Sequence, residues 1–404
     1  MKFRKFLLPI LILVIISCNN PRRGDNKIVA DNHIESVKTS FAPDKRVALF
    51  NIESEMSDGK LVLKGETNMA EARDSLFARF TSDEIEYIDS VQVLPARNLK
   101  DTIYGVIDVS VANLRGEGKH SSELVTQATL GTPVKIWKRT EEWYYIQTPD
   151  GYLSWVDHGG ITTMNRTDFQ AWKSSEKVIY QKAFGQSYLE ASNESKMVTD
   201  LVSGAILEME AENGDFYKVR YPDGRPAFIS KDEAEIYSQW LSDLQASQEK
   251  LVSTAEDLMG LPYLWGGTSA KGVDCSGFTK TIFFMNGVVV PRDASQQVRE
   301  GKLIDSVGKF DKLAVGDLLF FGRPATDSTS ERVVHVGMWI GNNEFIHSSG
   351  DVHISSMDEN SEIFDSFNKN RYLRTKRYLG EQSEGLTYLK DKDIFLDENI
   401  AQKE

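Results

Sequence analysis

Cysteine is nearly missing from this chain. Two occur among 404 residues, Cys18 and Cys275. Cys18 falls in an N-terminal targeting segment, so the mature domains hold one thiol and no internal disulfide, and an exported protein does not require one. The His and Cys positions also lack the spacing of a four-ligand zinc site, so no metal is expected, and no cofactor is implied. Positive charge is scarce as well. The formal net charge is −13, and basic residues cluster only at Lys2, Arg4 and Lys5 and in the run Arg374-Thr375-Lys376-Arg377. That balance argues against a nucleic-acid partner. The N-terminal apolar run, Phe6 to Ile16, is too short for a comfortable membrane span. The length itself implies about two or three domains.

What is present begins with a signal peptide, residues 1–18. Lys2, Arg4 and Lys5 form its basic start and Phe6 to Ile16 its apolar core. Its end, Ile15-Ile16-Ser17-Cys18, resembles a bacterial lipobox. The resemblance implies cleavage before Cys18, lipid attachment at Cys18, and a place in the bacterial cell envelope, membrane-anchored and facing the periplasm or exterior. Residues 19–46 are polar and read as a tether. Residues 47–104 read as a small α+β domain. Strand-like runs at 47–52 and 60–65 are joined across Ser57-Asp58-Gly59, Asn68 is placed to cap a helix through Phe80, and Val91 to Leu94 make a third strand. No residue there suggests catalysis.

An internal repeat follows. Residues 123–156 align without gaps on residues 196–229: Gly131 meets Gly204, Trp143-Tyr144 meets Phe216-Tyr217, and Pro149-Asp150-Gly151 meets Pro222-Asp223-Gly224. Short alternating strands and a tight Pro-Asp-Gly turn describe a small β-barrel. Both copies resemble bacterial SH3-like domains, at 105–165 and 166–236. A helical pattern from Gln239 to Met259 then opens a further domain, 237–380, and residues 381–404 read as a charged tail.

The stretch Leu261 to Lys280 carries the chemistry. Gly and Pro mark its first half as loop, and Phe278, Ile282, Phe283 and Met285 recur at helical spacing. Cys275 therefore sits at a helix start, where unpaired N–H groups and the helix dipole favour the thiolate. A thiol nucleophile needs a base, and the base needs an orienting group. His335 and His347 follow in adjacent strand-like runs around Gly341-Asn342-Asn343. A three-residue loop there sets Ile340 opposite Glu344 and Gly337 opposite His347, with His335 on the same face; a two-residue loop would separate the histidines. His353, His120 and His158 are poorer candidates for catalysis.

Tyr263-Leu264-Trp265-Gly266-Gly267, Asp274-Cys275-Ser276-Gly277-Phe278, Gly316-Asp317-Leu318-Leu319-Phe320-Phe321 and His335-Val336-Gly337-Met338-Trp339-Ile340-Gly341 together resemble the NlpC-type cell-wall cysteine peptidases. The resemblance implies a papain-like α+β catalytic domain behind the two SH3-like barrels. Within it Cys275 is the nucleophile, His335 the general base and His347 its orienting partner, with Tyr263 a candidate oxyanion donor beside the Cys275 N–H. The domain order resembles the dipeptidyl-peptidase VI type. That implies murein stem peptides as partners, with hydrolysis of the γ-D-glutamyl–diamino acid bond where the N-terminal L-Ala is free. By the same resemblance Asp274, Ser276 and Ser295 contact the substrate, and the first SH3-like domain adds Glu123 and Tyr152. The second copy has Lys196 and Arg225 at those two places. Two other readings compete: an endopeptidase acting on intact wall, and a non-catalytic envelope binding protein.

Overall fold

The computed structural model describes residues 21–392 and Ile394. The chain divides into two units, Met1–Val93 and Leu94–Glu404. In the first, helices Pro21–Phe41 and Ala70–Ser82 accompany strands Phe50–Ser57, Lys60–Thr67 and Tyr87–Val93. The first two strands are antiparallel and the third runs parallel to the middle one. The expected tether is thus corrected: residues 21–41 are helical. Ala30, Ile34 and Val37 are buried with Leu63, Leu76 and Phe80. Their spacing is a narrow helical stripe that mean polarity conceals. Asn68 does not cap the second helix. Its Oδ1 accepts the Leu49 N–H at 2.8 Å, and Met69 precedes the helix without a side-chain cap.

The second unit begins earlier than residue 105. Leu99 is buried with Ile107, Val134 and Ile136, and the Ala96 N–H donates to the Trp137 carbonyl. The two repeat copies each form a seven-stranded antiparallel sheet. Numbered within each copy, both sheets run in the same spatial order, seventh, first, fourth, fifth, sixth, second, third. The aligned Gly131 and Gly204 share a φ of 81°, the left-handed turn conformation that only glycine adopts without strain.

The catalytic portion packs helix Cys275–Met285 against a six-stranded antiparallel sheet. Across the sheet the strands are Lys302–Asp305, Tyr372–Arg377, Leu318–Arg323, Arg332–Gly341, Glu344–Ser349 and Asp351–Ser356. Phe278, Ile282 and Phe283 face Phe320, Val336, Met338 and Ile346. The segment after Gly380 is not a free tail. Thr387–Tyr388 pairs with Val288–Val289, and Leu386 and Leu389 are buried. A charged composition hid two leucines that complete the core.

The first SH3-like sheet is fastened to the catalytic portion. Gln127 accepts the Thr268 N–H at 3.0 Å and the Ser269 hydroxyl at 2.9 Å. Asp150, in the Pro-Asp-Gly turn, pairs with Lys280 on the Cys275 helix at 2.7 Å. Burial works against the Asp150 carboxylate, yet Lys280 and Thr148 hold its pKa below the usual range. The pair therefore contributes stability above the ordinary carboxylate pKa and loses it as pH falls through the lower folded value. Lys280→Met strands a buried carboxylate and should cost about 3–5 kcal/mol. Urea unfolding reads this as a lower midpoint, largely restored by Asp150→Leu in the same chain. An unshifted midpoint in Lys280→Met would show that the pair does not fasten the domains.

Candidate active site

Helix Cys275–Met285 starts at the thiol because Asp274 caps it. The Asp274 Oδ1 accepts the Gly277 N–H at 2.7 Å. A side chain at Gly277 would meet the Gly267 carbonyl at 1.9 Å, so glycine alone lets the loop lie against the helix. The backbone N–H groups of Val336, the residue after His335, and of Ser276 favour the Cys275 thiolate. Those donors do not make it a thiolate. Burial, then the Asp274 carboxylate, push the thiol up to about 12. Resting Cys275 is a thiol, contrary to the expectation from its helix-start position, because a linear sequence shows the helix terminus but not the burial.

The two histidines share a face by an unexpected route. The hairpin turn is the two residues Asn342 and Asn343, with φ of 51° and 61°, and Gly341 lies opposite Glu344. A bulge between Trp339 and Gly341 absorbs the difference, so Met338 still faces Ile346 and Trp339 still faces Phe345. His335 Nε2 then lies 2.8 Å from His347 Nδ1, and His347 Nε2 lies 3.1 Å from Ser355 Oγ. Burial drives both imidazoles to the neutral form. The pKa of His335 falls to about 3, with Arg371 and His353 adding to the effect, and that of His347 to about 2, with His335 adding. His353 stands edge-on to His347 at 4.5 Å and contacts Asp351. His120 and His158 lie away from this group, each beside Asp157.

Asp274 is not a free charge. Arg292, 1 % exposed, reaches it with both terminal nitrogens, at 3.1 and 2.5 Å. Burial disfavours the Arg292 cation, but Asp274 keeps it protonated. Ser276 is absorbed into the same network, donating to Asp274 at 3.1 Å and accepting from Arg292 at 3.0 Å. These bonds use its O–H and one of its two acceptor positions. Tyr263 is half-buried; burial, then Cys275 and Asp274, push its phenol up, so it stays a hydrogen-bond donor. Ser295 is half-buried in the short helix Ala294–Gln297.

Two residues of the first SH3-like domain reach the segments on either side of the Cys275 helix. Glu123 accepts the Trp265 indole N–H at 2.7 Å, and Tyr152 donates to Asp293 at 3.4 Å. Arg292, Asp293, Trp265 and Ser355 were missed as site residues. The first two stand in the stretch Pro291-Arg292-Asp293-Ala294-Ser295, where an adjacent Arg-Asp pair at a turn was the available signal. Ser355 gave none; only strand pairing brings it to His347. Among the described residues no cluster of His, Cys, Asp or Glu could hold a metal ion.

A thiol at a helix start, set against a sheet bearing a bonded imidazole pair, defines the fold and site of a papain-like cysteine peptidase. The family model described as NlpC/P60 matches residues 260–374, and that for the bacterial dipeptidyl-peptidase SH3 domain matches residues 114–161. The chain is 29 % identical over 244 residues to a gamma-D-glutamyl-L-lysine dipeptidyl-peptidase of Bacillus cereus, covering 57 % of this chain and 68 % of that protein. It is 30 % identical over 231 residues to the Bacillus subtilis protein of the same name, covering 55 % of this chain and 71 % of that one. A crystal structure of an NlpC/P60 family protein from Bacillus cereus superposes with a TM-score of 0.59 at 26 % identity, over 68 % of this chain and 99 % of that one. The chain belongs to the NlpC/P60 family, with a dipeptidyl-peptidase SH3 domain ahead of the catalytic domain.

The neutral resting site has a measurable consequence. Iodoacetamide alkylation of Cys275 should be slow at pH 7 and should still be rising at pH 9 to 10, because the thiol pKa is raised. A rate plateau below pH 7 would instead mean a preformed thiolate–imidazolium pair.

Proposed function

We propose that this protein hydrolyses the γ-D-glutamyl–diamino acid bond of murein stem peptides that carry a free N-terminal L-Ala, releasing L-Ala-γ-D-Glu. One observation carries the reading: the first SH3-like domain brings Glu123 to Trp265 in the loop before Cys275 and Tyr152 to Asp293 beside Arg292. Such a wall suits a ligand that ends there. Glu123 Oε1 is engaged by Trp265, and its other oxygen takes the L-Ala ammonium in a charge-assisted hydrogen bond under this proposal. Asp293 beside Tyr152 supplies a second acid. Asp274, neutralised by Arg292, holds the nucleophile's helix in place. An intact wall has its L-Ala amide-linked to muramic acid, which offers no ammonium.

Cys275 attacks the γ-carbonyl and passes its proton to His335. The oxyanion is received by the Cys275 N–H and the Tyr263 phenol. His335 protonates the leaving amine, and water then hydrolyses the thioester. For His335 to be the base through Nδ1, its Nε2–H must donate to His347 Nδ1. Neutral His347 then carries its proton on Nε2 and gives it to Ser355.

The test is to incubate the protein with L-Ala-γ-D-Glu-L-Lys, its N-acetyl form and intact sacculi, and to identify products by mass. The free tripeptide should yield L-Ala-γ-D-Glu, and Cys275→Ala and His335→Ala should abolish this. Glu123→Gln should lower kcat/KM by about ten- to a hundredfold, the loss of one charge-assisted hydrogen bond. Equal cleavage of free and N-acetylated peptides would overturn the reading in favour of a wall endopeptidase.

We further propose that the protein is held at the cell envelope by a lipid on Cys18, which lies outside the described residues. The lipobox-like Ile15-Ile16-Ser17-Cys18 supports this. Cys18→Ser should shift the protein from the membrane to the soluble fraction with activity retained. A wild-type residue 18 found without acyl chains by mass spectrometry would end the proposal.

A further inference from the structure

One cation at the site has no role in the reaction above. Arg371 lies between the short helix Ser366–Asn370 and strand Tyr372–Arg377. Its carbonyl accepts the Gly322 N–H at 2.8 Å, which fixes the backbone. Its Nε donates to Asn368 at 2.9 Å, and the guanidinium lies 4.1 Å from the ring centre of Phe367, itself 68 % exposed. These contacts orient the planar group and leave its two terminal nitrogens without a hydrogen-bond partner among the described residues. Asp365 is turned to Asn368, and among the described residues Arg371 makes no ion pair.

The sheet order fixes which side of the site this fork occupies. Phe321 stands opposite both His335 and Tyr372, so Arg371 lies on the flank of His335 toward strand Tyr372–Arg377. The loop bearing Tyr263 and Trp265 attaches to the other flank: Pro262 bridges Asp351, and the Tyr263 N–H donates to Gly350. Glu123 is on that loop's side. A peptide with its ammonium at Glu123 and its scissile carbonyl at Cys275 therefore sends its leaving group toward Arg371. The charge of Arg371 reaches both reacting residues, disfavouring the His335 cation and sensing Cys275.

We propose that Arg371 is a carboxylate-binding residue of the leaving-group side, taking the α-carboxylate of the diamino acid whose amine departs. This rests on the function proposed above and sharpens it: the preferred substrate ends at the diamino acid. The carboxylate is attached to the carbon that bears the leaving nitrogen. A planar guanidinium with both terminal nitrogens open matches it two-pronged.

The experiment compares L-Ala-γ-D-Glu-L-Lys with its C-terminal carboxamide, and with the analogue amidated on the D-Glu α-carboxylate. Wild type should prefer the acid over the C-terminal amide by about tenfold or more in kcat/KM, as expected for a charge-assisted bond. Arg371→Gln should bring that ratio near one, and Arg371→Lys should retain part of it. Calorimetric binding of the acid and the C-terminal amide to Cys275→Ala, with and without Arg371→Gln, reads the same contrast without turnover. A binding contrast in a protein that cleaves neither peptide would sink the reaction and keep the subsite. Equal handling of acid and amide by wild type, a preference that survives in Arg371→Gln, or a dependence on Arg371 that follows the D-Glu carboxylate would each overturn the inference.

Discussion

The site depends on one buried ion pair. Asp274 and Arg292 meet at 2.5 Å with almost no exposure, and the loop and first helical turn beside the thiol are bonded to them. Asp274 accepts from Gly266 in the loop, from Gly277 in the helix, and from Ser276. Arg292 brings in the turn that precedes helix Ala294–Gln297. A pair this buried carries a large desolvation cost, so it is weak evidence for stability and better evidence for fixed geometry. It pins the first turn of the Cys275 helix to two loops at once. Burial first, and then the capping Asp274 carboxylate beside the sulfur, oppose ionisation of the thiol at the helix start, while Arg292 acts the other way.

The SH3-like modules are part of this construction. Tyr104 and Met164 of the first module, Ile179 and Ile206 of the second, and Val289 and Leu389 of the catalytic portion share one apolar cluster. Gly131 has no side chain because the Ile206 carbonyl would lie 1.8 Å from its Cβ. Modules that share a core hold a fixed relation to the catalytic sheet. Glu123 is thereby held at Trp265 and Tyr152 at Asp293, although both lie over a hundred positions before Cys275 in the chain.

Much of this was legible beforehand, and the failures have physical causes. The repeat was read from an ungapped alignment, and its two sheets have the same strand order. Cys275 at a helix start and the histidines in paired strands followed from periodicity and turn residues. The turn itself was misjudged, since Gly341-Asn342-Asn343 does not reveal that Ile340 will bulge; the bulge restored the register that the wrong loop length had reached. Composition misled at both ends, where Ala30, Ile34 and Val37, and then Leu386 and Leu389, bury sparse apolar stripes in charged sequence. Ser355 and Arg371 were invisible for another reason. Their positions relative to His347 and His335 are products of sheet pairing, which single-residue chemistry does not encode.

The electrostatics around His335 also bear on how the proposed substrate would be activated. Burial is the larger reason that His335 is a poor base at rest, and the nearby Arg371 cation is the next. A substrate carboxylate seated on Arg371 would offset that second contribution. The imidazolium would then be opposed by one influence fewer at the moment the thiol proton must move. An ammonium held by Glu123 lies on the opposite flank and adds a positive charge there, but one already balanced by its partner. The two ends of the peptide are thus unequal: one anchors against an acid outside the reacting centre, the other removes a field acting on the base itself. On this reading the neutral resting pair is a consequence of building the site around the substrate's charges, with proton transfer from Cys275 becoming less costly as the leaving-group side fills.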